Sequence, residues 1–523
     1  MALGVASVQQ RFDDPRSLLG DRLKGVYRFL ADHGDRLFPH DYFADLYKRS
    51  RRGRPTIPAR VLATVMVLQA HEGLSDSEAC DRLERDLAWQ AAAGVDAGYE
   101  AFHPTVLVGQ RNRLRGSARP KRLLEDTRVA ARQAGVMGRR LRVLDSTPIY
   151  DAVATQDTVT QLRSAIRKLL RVLDRESPTV AVQVRSVLRR DDDYASAGKP
   201  PCDWDDTEAR EVLIDALVRD ALAAVAVLEG HVLSPSATDA AELLALVAGQ
   251  DVELDEDGRF RIARKVTKDR VISTVDPEAR HGHKSRNRRF DGYKGHVSVD
   301  PDFEMIDDVS VTPANCHDGD PGVVEGLLDP VAEDDDKPEV MGDSAYSNGE
   351  LRQRLGEDGF EVRAKVPPAS NKQGRYSKDD FDVDLEADTV TCPAGVTVSI
   401  RHRADGQGGD AQFGNHCADC ARRERCTTSA KGRKITIGAH EALLQQARAD
   451  QQDQDWQALY RANRPTVERK IAHLMRVTHG GRKARCRGVL RVTTDFVTRA
   501  AAVNLARLAT LGVTHNGTSW ALA

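Results

Sequence analysis

Two short apolar runs, Leu141–Pro148 (LRVLDSTP) and Val340–Tyr346 (VMGDSAY), each carry an Asp followed by a small hydroxyl residue: Asp145 before Ser146, and Asp343 before Ser344. Short apolar runs that stop at polar residues read as β-strands. A single Asp at a strand end is ordinarily a turn or cap residue; the repeated context is what singles out these two. They stand 198 positions apart, so a fold that uses both needs a sheet in which distant segments become neighbours. Adjacent strand ends in a mixed sheet bring two carboxylates within a few ångströms. Two ionised carboxylates that close repel, and a divalent cation is the natural compensation.

A third acid, Glu468, lies 125 positions beyond Asp343 in RPTVERKIAHLM. Ile471, Ala472 and Met475 follow it at i+3, i+4 and i+7, which places an apolar stripe on its face of a helix. The spacing predicts that this face packs on the sheet, that Glu468 sits near the start of the helix, and that it points inward. Taken alone, Glu468 would be read as a charge balancing a helix N-terminus. Beside Asp145 and Asp343 it completes an oxygen-only site suited to Mg²⁺ or Mn²⁺. Two such ions about 3.5–4 Å apart can clamp the attacking and leaving oxygens of a phosphodiester.

The 523 residues suggest about three domains. Lys plus Arg number 77 against 79 Asp plus Glu, a net charge of −2, so the balance does not by itself announce nucleic acid. The charges are unevenly placed, however. Arg139–Arg142, Lys284–Arg289 and Arg482–Arg491 are basic; Asp203–Asp206, Asp251–Asp257 and Glu333–Asp336 are acidic. No apolar run approaches the roughly 20 residues of a membrane span. The first residues, MALGVASVQQ, have no signal-peptide pattern. The expectation is a cytoplasmic protein with no membrane partner.

In order, residues 1–135 read as a helical N-terminal domain. Pro58–His71 has helical periodicity and Gly73 breaks it. Ser75 and Glu78 have capping-box spacing and open a second helix through Ala93, closed by Gly94, with Leu83 and Leu87 on one face. Helix, Gly turn, helix is the outline of a DNA-binding helix-turn-helix and equally of a plain helical hairpin. Arg49–Arg54 (RSRRGR) is a basic arm suited to phosphates or a solvated linker. Residues 136–157 hold the strand of Asp145, and residues 158–258 read as a helical insertion. Residues 259–369 contain the hairpin Tyr293–Val299 and Met305–Val311, a helix around Val323–Ala332, the strand of Asp343, and a strand at Phe360–Val366. Residues 370–438 are polar, Gly-rich and contain four of the eight cysteines. Residues 439–523 return to helices, at Ala439–Gln452, Tyr460–Val477 and Asp495–Leu511.

Cys417 and Cys420 have metal-knuckle spacing, with Cys426 after them and Cys392 before. Four thiolates in one polar segment suit a tetrahedral structural Zn²⁺, with His402 and His416 as spare ligands; reduced, unliganded thiols are the alternative. Lys294 and His296 alternate along a strand and so face one side, toward DNA or toward solvent; His317 and Asp318 follow the hairpin and are weaker candidates. Arg464 lies one helical turn before Glu468, where it can reach a phosphate or pair with one of the acids.

Four stretches together carry a family resemblance: LDSTPI at Asp145, FDGYKGHVSVD with VTPANCHDGD behind it, GDSAY at Asp343, and Tyr460–Arg476. The chain resembles the DDE transposases of bacterial insertion sequences, IS4/IS5-like and nearest the IS1182-type group. The likeness covers nearly the whole chain, including the helical N-terminal region and the cysteine cluster. The family's third catalytic helix carries an R-x-x-x-E element, matched by Arg464 and Glu468. The Tyr that usually precedes that Arg by three residues is replaced by Arg461, with Tyr460 one off. The Lys that usually follows the Glu by seven is replaced by Met475, with Arg476 beside it.

The resemblance implies an α/β fold: a ribonuclease-H-like mixed sheet core with a helical N-terminal DNA-binding domain, the helical insertion and the Cys-rich zinc insertion. It implies Asp145, Asp343 and Glu468 as catalytic ligands of two Mg²⁺ ions, and DNA contacts from Arg464, Arg461, Lys294, His296, Tyr346 and Arg476. It also implies cleavage at the element ends by water, followed by attack of the freed 3′-OH on target DNA. The partners are then double-stranded DNA, both terminal repeats and target, and a second copy of the chain or more. Two other functions fit the same core: a metal-dependent nuclease that cuts without joining, and an inactive or domesticated DNA-binding protein.

Overall fold

In the computed structural model the described residues are 14–47, 56–138, 140–263, 267–285, 287–334, 336–370 and 374–523. The basic arm Arg49–Arg54 lies outside them, as does Arg286 of the Lys284–Arg289 stretch.

The centre is a mixed sheet. The strand Leu141–Tyr150 runs antiparallel to the long strand Arg288–Asp300 on one side and parallel to Glu339–Gly342 on the other, with Val362–Ala364 beyond that. Arg288–Asp300 also pairs with Arg280–Ser285 and, further along, with Met305–Pro313. The hairpin expected from Tyr293 to Val311 is therefore formed. A bulge at Ser298/Val299 breaks its register, and Asp307 is the residue skipped. A bulge re-aims a side chain: Asp307 reaches Arg142 of the neighbouring segment at 2.6 Å, with both side chains at most 1% exposed. Arg142 also donates to the carbonyls of Gly138 and Leu141, so the buried charge is well satisfied.

The helix Ala59–Glu72 is apolar nearly all round, with Val61–Ala70 buried without interruption. Such a helix belongs inside. It packs against the C-terminal helix Val489–Leu511, which also lies on the Met305–Pro313 strand. One continuous apolar core thus joins the N-terminal helices to one face of the sheet. The opposite face is covered by Pro321–Leu328 and Gly349–Glu357, whose Val324, Leu327 and Leu351 pack with Leu144. The helices Thr158–Glu176, Pro178–Val187, Thr207–Val227 and Pro235–Gln250 enclose a separate core. The cysteine-bearing segment forms two small three-stranded sheets over its own cluster around Val390 and Phe413.

Ser75 and Glu78 do form the capping box, and Gly73 takes the left-handed conformation at φ 68° that ends the preceding helix. The second helix does not run through to Ala93, however. It stops at Arg85, and a new one starts at Leu87. Asp86 is extended and its carboxylate accepts the Ala88 N–H at 2.8 Å, so it caps the new helix instead of continuing the old. Leu83 is buried while Leu87 is 36% exposed, so the two do not share a buried face.

Candidate active site

The register of the two parallel strands places the acids. Val143 is level with Met341, and two residues further on in each chain are Asp145 and Asp343. Asp343 keeps extended backbone (φ −77°, ψ −171°), and one carboxylate oxygen accepts the Ala345 N–H at 2.8 Å, which starts a short 3₁₀ turn. Gly342 before it is needed for space, because a Cβ there would lie 2.7 Å from Tyr346. Burial pushes the Asp145 carboxyl above the usual carboxylate range; the nearby Asp343 adds to the push, and Arg464 opposes it.

Arg464 comes from the helix Gln454–Leu474, which packs across the strands Leu141–Tyr150 and Arg288–Asp300. Its Nη2 lies 3.0 Å from Asp145 Oδ2, and its Nη1 lies 3.9 Å from Glu468 Oε1. The guanidinium thus stands between two of the three acids as their internal counter-charge. Burial works against that charge, but Asp145 and Asp343 outweigh it and hold the group firmly protonated. Tyr460, one turn earlier, stacks on Trp456 with ring centres 5.2 Å apart, and its hydroxyl donates to the Gly342 carbonyl at 3.3 Å. The helix is further pinned by Glu304, which pairs with Arg469 at 2.8 Å and Lys470 at 3.0 Å.

Glu468 differs from expectation in two ways. The helix begins at Gln454 with Asp453 as its cap, so Glu468 lies in its second half, away from the positive N-terminus. Its side chain is 64% exposed. The buried stripe is Val467, Lys470, Ile471 and Leu474, one position out of phase with Glu468, while Ala472 faces out. Glu468 therefore borders the cleft instead of pointing into the sheet.

The expected DNA contacts divide. Arg461 and Arg476 are exposed. Tyr346 is 1% exposed and His296 is fully buried, which takes both away from any DNA surface. His296 and Lys294 do face one side of their strand, but His296 bonds Thr312 at 2.9 Å and burial drives its pKa down to about 4, so it is neutral. Lys294 is spent on Asp318 at 2.9 Å and the Cys316 carbonyl at 2.7 Å.

The three acids give an oxygen-only donor set, which suits a hard divalent cation. Two buried polar atoms in the same region, the Tyr346 hydroxyl and Arg464 Nη1, have no hydrogen-bond partner. Among the described residues, however, no three His, Cys, Asp or Glu side chains stand close enough to enclose a metal. The donor chemistry fits a divalent ion; the arrangement has Arg464 at Asp145 and Glu468 turned outward. Cys392, Cys417, Cys420 and Cys426 line one small cavity of about 20 Å³ and none is in a disulfide; among the described residues they do not come close enough together to enclose the expected zinc. The Cys426 thiol is pushed up by burial, with the three other sulfurs adding to the shift.

Two basic cavities escaped the motif reading, although Lys284–Arg289 and Arg482–Arg491, which contribute to them, stood out in the charge pattern. Lys284, Arg288, Arg289 and Arg482 line one of about 310 Å³ beside Pro148 and Tyr150, on the strand that carries Asp145. The other lies between the N-terminal helices and residues 485–498. Among the described residues no helix is long and apolar enough to cross a membrane.

Two family models match the chain. A transposase DDE domain matches residues 391–509, which include Arg464 and Glu468 but neither Asp145 nor Asp343. A transposase domain (DUF772) matches residues 19–113. No curated protein and no solved structure gives a significant match. This pairing of matches supports a DDE transposase of an insertion sequence, and the IS1182-type group is consistent with it.

Proposed function

We propose that this chain is a transposase that cuts DNA at the ends of its element and joins the freed 3′-OH to target DNA, with Asp145, Asp343 and Glu468 as the catalytic carboxylates. The observation that carries this reading is the level placement of Asp145 and Asp343 on adjacent parallel strands, under a helix that supplies Arg464 and Glu468. These three carboxylates would hold Mg²⁺ or Mn²⁺, two ions at full occupancy. Held there, such ions would neutralise charge on the scissile phosphate and lower the pKa of an attacking water.

The chain's own part is positioning. The sheet fixes the two Asp carboxylates, and Tyr460 on Gly342 ties the helix to the end of the Asp343 strand. Glu468 is free to turn because little packs on it. Arg464, released from Asp145, can move to a phosphate beside the cut; a planar guanidinium suits both partners. No side chain forms a covalent link to DNA. Because two element ends must be joined, the working form is a dimer or larger assembly.

Joining of pre-cleaved ends tests the reading against a nuclease on the same core. Ends with a free 3′-OH, Mg²⁺ and a target plasmid are expected to give joined product. Cleavage of intact ends without joining of pre-cut ones would assign a nuclease.

A further inference from the structure

The cavity between the N-terminal helices and the C-terminal segment has a volume of about 490 Å³. Arg111 and Arg115 enter from the helix Thr105–Arg115; Arg485 and Arg491 enter from the other side. Two carboxylates also line it, and both are taken. Asp76 pairs with Arg111 at 2.5 Å, and Asp495 pairs with Arg499 at 2.6 Å. Arg115 bonds only Asn112, and Arg485 only the Leu74 carbonyl. Among the described residues neither Arg115 nor Arg491 forms an ion pair, while the charge of Arg485 is felt by Glu78. Burial and then the charge of Arg491 push the Arg115 guanidinium below its ordinary pKa, so the two cations repel. A fold keeps such an arrangement at a cost that an anion removes.

The cavity is also wired to the active strand. Tyr150, the last residue of the strand that carries Asp145, bonds the Arg482 carbonyl at 2.8 Å, and its own carbonyl accepts the Ala484 N–H at 2.7 Å. Residues 482–484 thus extend the sheet edge. Arg482 is held in the basic cavity beside Pro148, and Arg485 is delivered to the larger cavity. Asp145 and Tyr150 are separated by roughly 17 Å of strand at about 3.4 Å per residue. The segment that delivers Arg485 therefore joins the sheet about that far along the strand from Asp145.

We propose that this cavity binds a backbone phosphate of the DNA flanking the cut, with Arg115 and Arg491 as its main cations and Arg485 as a third. The site couples the N-terminal helices to the catalytic sheet through the substrate. It rests on the proposed function in taking the carboxylate cleft as the place DNA must reach.

Fluorescence anisotropy of a labelled duplex carrying an element end, read from 50 to 200 mM salt, tests it. Each phosphate contact contributes about 0.9 to the slope of log affinity against log salt. The Arg115→Gln/Arg491→Gln variant is expected to have a slope shallower by about 0.9, the share of one phosphate, and the Arg115→Lys/Arg491→Lys variant to recover most of it, with thermal midpoints like wild type. An unchanged slope in the Gln variant overturns the site, as does an equal loss in the Lys variant. Inorganic phosphate that stabilises wild type but not the Gln variant, with the duplex slope unmoved, would assign the cavity to a free anion and also overturn it. A wild-type protein that neither cuts nor joins but shows the slope change keeps the phosphate site and removes the catalytic reading alone.

Discussion

Arg464 donates to Asp145 across 3.0 Å, from a helix to a strand more than three hundred positions earlier in the chain. The same guanidinium comes within 3.9 Å of Glu468. An arginine in this place does two things at once. It neutralises a buried carboxylate that already feels Asp343, and in the proposed reaction it moves to a phosphate once DNA arrives.

That double duty predicts the behaviour of Arg464→Gln. Asp145 loses its cation and the phosphate loses a bidentate donor. Single-turnover cleavage is expected to fall by at least about 100-fold, the scale of one preorganised donor. Arg464→Lys should recover little, because a point charge cannot span the same atoms. Full activity in Arg464→Lys would show that charge alone suffices.

Glu468 and Asp145 should separate stability from chemistry. Glu468 is mostly exposed, so Glu468→Gln is expected to change unfolding free energy by no more than about 0.5 kcal/mol. The same variant is expected to lose cleavage while still binding DNA. A Glu468→Gln protein that cuts at the wild-type rate would remove Glu468 from the catalytic set.

The Arg142–Asp307 pair holds the sheet beside the site. Removing one partner of a buried pair leaves an uncompensated charge, which typically costs about 3–5 kcal/mol. Asp307→Ala should show a loss of that size in urea unfolding. Replacing both residues by apolar ones of similar volume should recover much of it. A loss under about 1 kcal/mol for Asp307→Ala would mean that the Gly138 and Leu141 carbonyls alone satisfy Arg142.

His296 gives a pH signature. Its pKa is depressed to about 4 by burial, against about 6.5 in an unfolded chain. Above pH 6.5 both states are neutral and its contribution is fully present. Between pH 6.5 and 4 the unfolded chain takes up a proton that the folded one refuses, so stability falls as pH falls, by roughly 3 kcal/mol in all. His296→Asn should flatten the stability profile over that window. An unchanged profile would place the titrating group elsewhere.

Much of the site was legible because it rests on local patterns. Asp145 and Asp343 could be found because an apolar strand, an acid and a small hydroxyl recur in both runs. Their meeting followed once adjacent strand ends in a mixed sheet were expected, and the hairpin was marked by the runs Tyr293–Val299 and Met305–Val311. What could not be read was phase and partnership. The stripe beside Glu468 is out of register with it by one residue, and only the packing of Val467 and Lys470 reveals this. Lys294 looked free until Asp318 folded back onto it. The helix broke at Asp86 because its carboxylate found the Ala88 N–H, a choice that helical periodicity does not record. The cluster of arginines around Arg115 and Arg491 joins segments hundreds of positions apart, so the sequence shows only the Arg482–Arg491 stretch, and Arg111 and Arg115 do not stand out.

The most direct test is a labelled duplex bearing the element's own ends, incubated in Mg²⁺ with wild type and with Asp343→Ala, with binding, cleavage and joining read from the same samples. The account predicts that wild type cuts and joins, and that Asp343→Ala binds as tightly but does neither. Cleavage by Asp343→Ala at the wild-type rate, or binding by both proteins with cleavage by neither, would contradict it.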